Sequence, residues 1–321
     1  MVIAISTVKC YTKSISILCE CEVFAKMSNK VRSVFFRQLA CLVLSLALLL
    51  AFAGCNRNSG ESSSQSQSPD FVNPLDDPEL EPSSSVNTPD QDMLDKMVEA
   101  YNLNSDTIGW LRVPHTTIDN SVLQKAGETD NNYYLRLDEE KKSDNFGCYF
   151  ADYENTFGAR SDLTQNTIIY GHSDIGTSLE APGKDNPNGK RFSQLFHFAD
   201  MEFAKSNPYI YFSTFKDDMV WQIFSVMYTD IDFNYIYANY SDADFLAMVN
   251  DAKARSEYVY DVEVTADDKI LTLSTCTVKY GTSNKKQRFV IMAKLLPAGA
   301  QLEETASLTK NENVKLPNFV K

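Results

Sequence analysis

The chain has 321 residues, of which 43% are hydrophobic and 12% aromatic, and it carries a formal net charge of −13. A chain of this length and apolar content can bury one substantial core, and one catalytic domain of roughly 200 residues is the simplest organisation. The negative charge argues against nucleic-acid binding, because no basic stripe is present to neutralise phosphates.

Residues 1–55 have the pattern of an N-terminal export signal or membrane anchor. A conventional signal begins at Met27, which is an alternative translation start to Met1, with a basic segment before the apolar run 39–52. That run is shorter than the roughly 20 residues of a spanning helix, and the small-small-Cys ending at Cys55 is similar to a lipobox. Lipidation of Cys55 and an uncleaved membrane anchor therefore both stay open. Either one predicts a domain at the extracytoplasmic face of the cell membrane.

Residues 56–87 are rich in Ser, Pro and acidic residues, with too little apolar surface to offset the entropy of ordering. This stretch is predicted to be a disordered tether. Order resumes at Thr88, which we interpret as the N-cap of a helix with Gln91 completing a capping box. We expect a catalytic domain over residues 88–300 that opens with this helix, and a polar C-terminal tail over 301–321.

Short β-like runs separated by turn signals dominate the domain, and their regular spacing predicts a β-barrel or sandwich. The runs cover residues 108–113, 121–124, 133–137, 147–151, 167–170, 209–212, 220–228, 270–275 and 289–295. Two helices are expected between them. One spans residues 192–206, and the other spans 242–255 with Ser241 as its N-cap.

Three of these runs deliver one polar group each at a strand tip. The run 270–275 ends at Cys276, Arg288 precedes the next run, and His172 follows the run 167–170 after Gly171, which lets the backbone turn. A thiolate can attack a carbonyl, an imidazole can move protons, and a fixed cation can stabilise the oxyanion.

Two neighbours of these groups are candidates for lining a substrate groove, because residues two apart in a strand share a face. Ser274 shares the polar face of Cys276, and Tyr170 shares the face of His172.

Each candidate has a structural alternative. Cys276 would instead be a buried core thiol, and Arg288 a surface charge. Cys148 lies in an apolar stretch and is expected to be a small core residue, with a disulfide to Cys276 as the alternative that would silence the nucleophile. His115 lies in a proline turn and His197 among aromatic residues, where packing is the default role for an imidazole.

The motifs also carry a family resemblance. Residues 272–276 read T-L-S-T-C and residues 170–172 read Y-G-H, and both resemble signatures of the sortases, in which an arginine follows the cysteine as Arg288 does here. The resemblance runs from about residue 108 to 295 and is nearest to class B. It implies a mainly β fold, a sortase-like closed β-barrel of about eight strands with an N-terminal helix and two inserted helices.

The resemblance also implies residue roles. Cys276 would attack the substrate carbonyl, His172 would act as general acid and base, and Arg288 would stabilise the oxyanion. Asn132 lies in a segment that resembles a motif near the class B site, so it joins Ser274 and Tyr170 as a substrate-binding candidate.

The activity implied is that of an extracytoplasmic cysteine transpeptidase. Such an enzyme cleaves a sorting motif near the C-terminus of an exported protein, holds the acyl group as a thioester, and transfers it to a peptidoglycan cross-bridge amine or a pilin lysine. No cofactor or metal is expected, because the domain has neither H-E-x-x-H nor a paired C-x-x-C. Two other classes stay open: a non-catalytic cell-surface lipoprotein that binds peptide or cell wall, and a plain cysteine hydrolase on the same fold.

Overall fold

The computed structural model describes residues 87–175 and 183–320. The predicted export signal, its anchor alternatives and nearly all of the predicted tether lie outside the described residues. Within these ranges none of the helices combines the length and the hydropathy that crossing a membrane requires.

The described part of the chain is mainly β. Its helices are Gln91–Leu103 (α1), Met201–Ser206 (α2) and Asp242–Arg255 (α3), with 3₁₀ helices at Tyr133–Arg136 and Arg191–Ala199. Its strands are Thr107–Arg112 (β1), Asp119–Leu123 (β2), Tyr149–Ala151 (β3), Asn166–Tyr170 (β4), Tyr209–Ser213 (β5), Asp218–Asp230 (β6), Tyr258–Tyr260 (β7), Ile270–Cys276 (β8), Gln287–Leu295 (β9) and Leu308–Lys310 (β10).

Eight strands close into a barrel in the order β1-β2-β3-β4-β8-β9-β6-β5, which confirms the predicted fold class. Strands β4 and β8 are parallel, so their carboxyl ends lie at the same edge of the barrel. Strand β9 is antiparallel to β8 and therefore starts at that edge. The strand topology alone therefore places the tips of these three strands at one edge of the barrel.

Strands β8 and β9 are buried on both faces, because alternate side chains enter two different cores. Leu271, Leu273 and Ile291 point into the barrel interior. Ile270 and Met292 point outward and pack with the apolar face of α3. Only the last residue of β8, Cys276, extends beyond these two cores and is partly exposed.

Two predicted elements are wrong. The run 133–137 is not a strand, because the Asp130 carboxylate accepts the Asn132 N–H and starts the turn that becomes the 3₁₀ helix Tyr133–Arg136. The predicted helix 192–206 is interrupted at Asp200. This residue is extended and caps α2 by accepting the Phe203 N–H at 2.9 Å, so the segment before it forms a separate 3₁₀ helix.

Of the two predicted helix N-caps, the first is wrong and the second is confirmed. The N-cap of α1 is Asp90 rather than Thr88, since the Asp90 carboxylate accepts the Met93 N–H at 2.8 Å. Helix α3 has the predicted bounds, and Ser241 is its N-cap. Strands β7 and β10 were not predicted; they pair as a separate two-stranded sheet, with β10 inside the stretch 301–321.

Candidate active site

The six residues proposed from the sequence as site residues line one pocket of about 270 Å³ at the edge where β4 and β8 end. They are Tyr170, His172, Ser274, Cys276, Arg288 and Asn132. In the strand register, Cys276 lies opposite Arg288 and Tyr170 lies opposite Ser274. The pocket therefore brings a free thiol, an imidazole and a guanidinium together.

His172 has a defined orientation. Its Nε2 lies 2.6 Å from the carbonyl oxygen of Leu135, and because a carbonyl only accepts, Nε2 must carry a proton. Nδ1 has no protein partner among the described residues. Burial lowers the pKa of His172 below its ordinary 6.5, although the Leu135 carbonyl acts in the opposite direction. The ring is therefore neutral at pH 7, with its lone pair on Nδ1.

The Leu135 carbonyl is a functional group that sequence reasoning missed. It belongs to the 3₁₀ helix Tyr133–Arg136, and the last carbonyls of a helix have no partner within the helix. The strand predicted for this run would have placed the carbonyl in a ladder. No side-chain signal marks such a group, because any residue supplies the same carbonyl.

Gly171 matters for a reason other than the predicted turn. Its backbone is not in the left-handed region, but a Cβ atom there would lie 2.8 Å from the ring of Phe192 and 2.9 Å from that of Tyr149. Only glycine lets these rings pack against the strand end that precedes His172. The position of the imidazole therefore depends on close packing around Gly171.

Asn132 is free to bind a ligand, whereas its neighbour is not. The Asn131 amide donates to Asp152 at 2.7 Å, and its oxygen accepts the Tyr153 N–H at 3.0 Å. The Asn132 side chain makes no hydrogen bond within the described residues, although it lines the pocket. Asn131 therefore fixes the loop, and Asn132 presents an amide with unused donors and an unused acceptor.

The hydroxyls of Tyr170 and Ser274 are already engaged. Tyr170 donates to the buried carboxylate of Asp152 at 2.8 Å, and burial together with this carboxylate raises the pKa of Tyr170 far above its ordinary value. The Ser274 hydroxyl lies 2.9 Å from that of Tyr235. Asp152 and Tyr235 thus support the pocket wall, and neither carries a sequence signal for this role.

The polar face of β8 is covered. Tyr235, between β6 and α3, lies over Ser274, and Thr272 donates to Asn166 at 2.7 Å. The alternate polar residues of this strand therefore form buried hydrogen bonds, and only Cys276 among them is partly exposed.

Arg288 is fixed by its own backbone surroundings. Its Nη1 donates to the carbonyl oxygens of Lys285 at 3.0 Å and Gln287 at 2.8 Å. Nε and Nη2 have no partner among the described residues, so the guanidinium keeps unused donors beside the pocket. This arrangement suits the binding of an oxyanion.

The other thiol and imidazoles lie outside the pocket. Cys148 is fully buried and unpaired, and burial raises the pKa of its thiol, so the core role is confirmed and a disulfide with Cys276 is not formed. His115 contacts Asn207 at 2.6 Å. His197 stacks on Phe203 with ring centroids 5.2 Å apart, as expected of a packing residue.

The described residues contain no group of side chains that could act together as metal ligands. No three His, Cys, Asp or Glu side chains in them are grouped closely enough to hold a metal ion.

A larger cavity of about 600 Å³ lies between α3 and the segment that precedes it. It is lined by none of the six proposed site residues, so the smaller pocket is the candidate active site.

Comparisons with known proteins agree with this geometry. The Sortase domain model matches residues 111–296. Sortase B of Listeria monocytogenes is 32% identical over 203 residues, which cover 63% of this chain and 74% of that protein. The structure of a Staphylococcus aureus sortase B–substrate complex is similar with a TM-score of 0.53 and 28% identity, covering 63% of this chain and 85% of that one. A structure of sortase B complexed with triglycine gives a TM-score of 0.52 and 29% identity, with the same coverage of 63% and 85%. The chain therefore belongs to the sortase family, and it is a sortase-type cysteine transpeptidase most similar to class B.

Proposed function

We propose that Cys276 is the nucleophile of this transpeptidase, with His172 as general acid and base and Arg288 as the oxyanion-binding residue. The observation that supports this assignment best is the meeting of these three groups at one pocket of about 270 Å³. Cys276 is free and partly exposed at the end of an otherwise buried strand, so a bound peptide can reach its sulfur.

The first half of the reaction forms the thioester. His172 Nδ1 takes the thiol proton, and the sulfur bonds to the carbonyl carbon of the sorting motif. The unused Nε and Nη2 donors of Arg288 bind the oxyanion of the tetrahedral intermediate. The C–N bond then breaks, the leaving amine takes the proton from His172, and the acyl group stays on Cys276.

The second half transfers the acyl group. An acceptor amine attacks the thioester carbonyl, His172 takes a proton from the attacking nitrogen, and the C–S bond breaks as the oxyanion collapses. The thiolate then recovers a proton from His172, which restores the resting site. Because a thioester keeps the acyl group reactive toward amines, exclusion of water favours transfer over hydrolysis.

The substrate is a peptide segment, and Asn132 is the residue we assign to hydrogen bonding with it. Its free amide can bind a backbone or a polar side chain of the sorting motif. Tyr170 and Ser274 contribute the shape of the wall, because their hydroxyls are bonded to Asp152 and Tyr235. The relative described as a sortase B–substrate complex supports substrate binding by this fold in general.

The acceptor we propose is a peptidoglycan cross-bridge amine or a pilin lysine. The relative described as sortase B complexed with triglycine supports an amine-bearing acceptor in general. A parallel assay with a glycine peptide and with a lysine side-chain amine separates the two, since the true acceptor discharges the thioester faster.

The site of action we propose is the extracytoplasmic face of the cell membrane, with residues 1–55 as the anchor. The apolar run and the ending at Cys55 support this proposal. Protease added to intact cells should then digest the domain. In a Cys55→Ser variant, release from the membrane indicates a lipid anchor, and retention indicates a spanning segment; protection of the wild-type domain from protease would contradict the proposal.

The direct test of the residue roles is substitution in the full chain. Cys276→Ala should abolish both peptide cleavage and acyl transfer, and His172→Ala and Arg288→Ala should each lower kcat by about a hundredfold or more. A binding module would lose nothing with Cys276→Ala. A plain hydrolase would release the peptide at a rate that added amine does not change and would form no amide product.

A further inference from the structure

The chain around Cys276 is hydrogen-bonded to the chain around and after His172. Thr275 Oγ1 donates to the Gly171 carbonyl and Ser173 Oγ donates to the Cys276 carbonyl, both at 2.7 Å. Two further hydrogen bonds join this chain to one side chain, that of Asp185. The Asp185 carboxylate accepts the Val278 N–H at 2.8 Å with Oδ1 and the Thr277 hydroxyl with Oδ2.

Asp185 is itself held close to His172. It forms an antiparallel bridge with Ile175, and the next residue, Asn186, donates its N–H to the Asp174 carbonyl at 3.2 Å. Ile175 lies three residues after His172, whose own carbonyl accepts the Phe192 N–H at 2.9 Å. The backbone of Asp185 is thus hydrogen-bonded to the segment that directly follows His172.

Both oxygens of Asp185 are used by the two residues directly after the thiol. Thr277 and Val278 are 3% and 4% exposed and Asp185 is half-buried, so the donors of these bonds are buried and the acceptor is partly covered. Because a carboxylate only accepts, the Thr277 hydroxyl donates to it, while the same hydroxyl oxygen accepts the Lys279 N–H at 3.1 Å. The backbone after Cys276 is therefore held in one conformation by Asp185.

We propose that Asp185 is a positioning residue for catalysis, which fixes the backbone behind Cys276 and so sets the thiol relative to His172. The inference rests on the proposed role of Cys276 as nucleophile. Asp185 does not line the pocket, so it acts through Thr277 and Val278 rather than on the substrate. A displacement of about 1 Å of a reacting group can lower a rate by about a hundredfold.

The test compares two substitutions of Asp185 in the full chain. Asp185→Ala should lower kcat for acyl transfer by about tenfold to a hundredfold, while KM for the sorting peptide stays within about twofold. Asp185→Asn should keep kcat within about threefold of the wild type. Its amide oxygen can still accept the Val278 N–H, and its amide nitrogen can donate to the Thr277 hydroxyl.

Two further variants separate positioning from general destabilisation. Thr277→Val should lower kcat, and combining it with Asp185→Ala should cost no more than Asp185→Ala alone, because the two residues share a bond. Asp268→Ala is the matched control. Asp268 accepts the Thr265 N–H at 2.7 Å and the Thr265 hydroxyl at 2.9 Å near the start of β8. Its loss therefore removes a similar pair of bonds, together with an ion pair to Lys294 at 3.0 Å, away from the pocket. Its kcat should stay within about twofold of the wild type.

All variants are assayed below their melting temperatures. The proposal is overturned if Asp185→Ala keeps kcat within about twofold, if its loss appears in KM alone, or if Asp185→Asn loses as much as Asp185→Ala. A transfer reaction that survives Cys276→Ala would instead overturn the proposed nucleophile. An inactive Cys276→Ala beside an unaffected Asp185→Ala overturns only the positioning role.

Discussion

The hydrogen bond of His172 decides which of its ring nitrogens can react. Nε2 donates to the Leu135 carbonyl, so the lone pair is on Nδ1, and burial keeps the ring neutral by lowering its pKa. A neutral imidazole can accept the thiol proton and then hold it for the leaving amine. The 3₁₀ helix that carries Leu135 therefore orients the imidazole that we propose as the base.

This arrangement predicts the acid side of the pH profile. The base must be neutral and burial lowers its pKa, so the acid limb of kcat/KM should have its midpoint below pH 6.5, the ordinary value of an imidazole. The measurement is kcat/KM for a sorting peptide from about pH 5 to about pH 8. An acid limb with its midpoint above 6.5 would contradict the neutral resting state of His172.

Arg288 should not be replaceable by lysine. Arg288→Lys keeps the charge but loses both the two carbonyl contacts of Nη1 and the forked donors, so we expect kcat to fall by about a hundredfold with little change in KM. Steady-state kinetics measure this split. Lys286→Ala, which removes an exposed neighbouring charge, serves as the control and should leave kcat within about twofold.

At the scale of elements, the loop between β8 and β9 depends on one side chain. Gln287 is 1% exposed; its oxygen accepts the Tyr280 N–H at 2.8 Å, and its nitrogen donates to the carbonyls of Gly281 at 2.6 Å and Asn284 at 2.7 Å. These bonds close the loop that joins Cys276 to Arg288. The loop between Cys276 and Arg288 is therefore an ordered turn, which holds the ends of β8 and β9 together.

Gln287→Ala should destabilise the protein by about 2 kcal/mol, because it leaves buried partners without hydrogen bonds. Urea unfolding measures the loss. Gln91→Ala is the matched control, since Gln91 is exposed on α1 and its side chain bonds, within the described residues, to Asp95 alone. It should change the free energy of unfolding by less than about 0.5 kcal/mol. Equal losses for the two variants would show that the loop does not depend on Gln287.

Elements with a long, clear local pattern were predictable from the sequence, and those with a short pattern were not. Helix α3 has its predicted bounds because Ser241 caps it, and strands β8 and β9 follow their apolar runs. The 3₁₀ helix Tyr133–Arg136 was missed, because an alternating pattern over the five residues 133–137 does not separate a strand from a tight turn.

The same division holds within the site. His172, Cys276 and Arg288 stand at strand tips that the sequence marks by motif. The supporting contacts join residues far apart in the chain: 37 positions separate Leu135 from His172, and 92 separate Asp185 from Thr277. No local pattern contains such pairs, so only the closed barrel reveals them.

For the molecule as a whole, the barrel core holds the strand tips in register. Leu271 is fully buried in the interior on β8, five residues before the thiol. Leu271→Ala should lower the free energy of unfolding by about 3 kcal/mol through the cavity it leaves. Thermal or urea unfolding measures this change. Leu103→Ala, at a site that is 58% exposed, is the control, and its effect should be below about 0.5 kcal/mol.

The central claim is that Cys276 carries the acyl group, and the intact mass of the full chain after incubation with a panel of sorting-motif peptides tests it most directly. We predict an adduct equal in mass to the N-terminal peptide fragment on the wild type, discharged by an added amine, and no adduct on Cys276→Ala. An adduct of the same mass on Cys276→Ala, or amide product formed by that variant, would contradict the account.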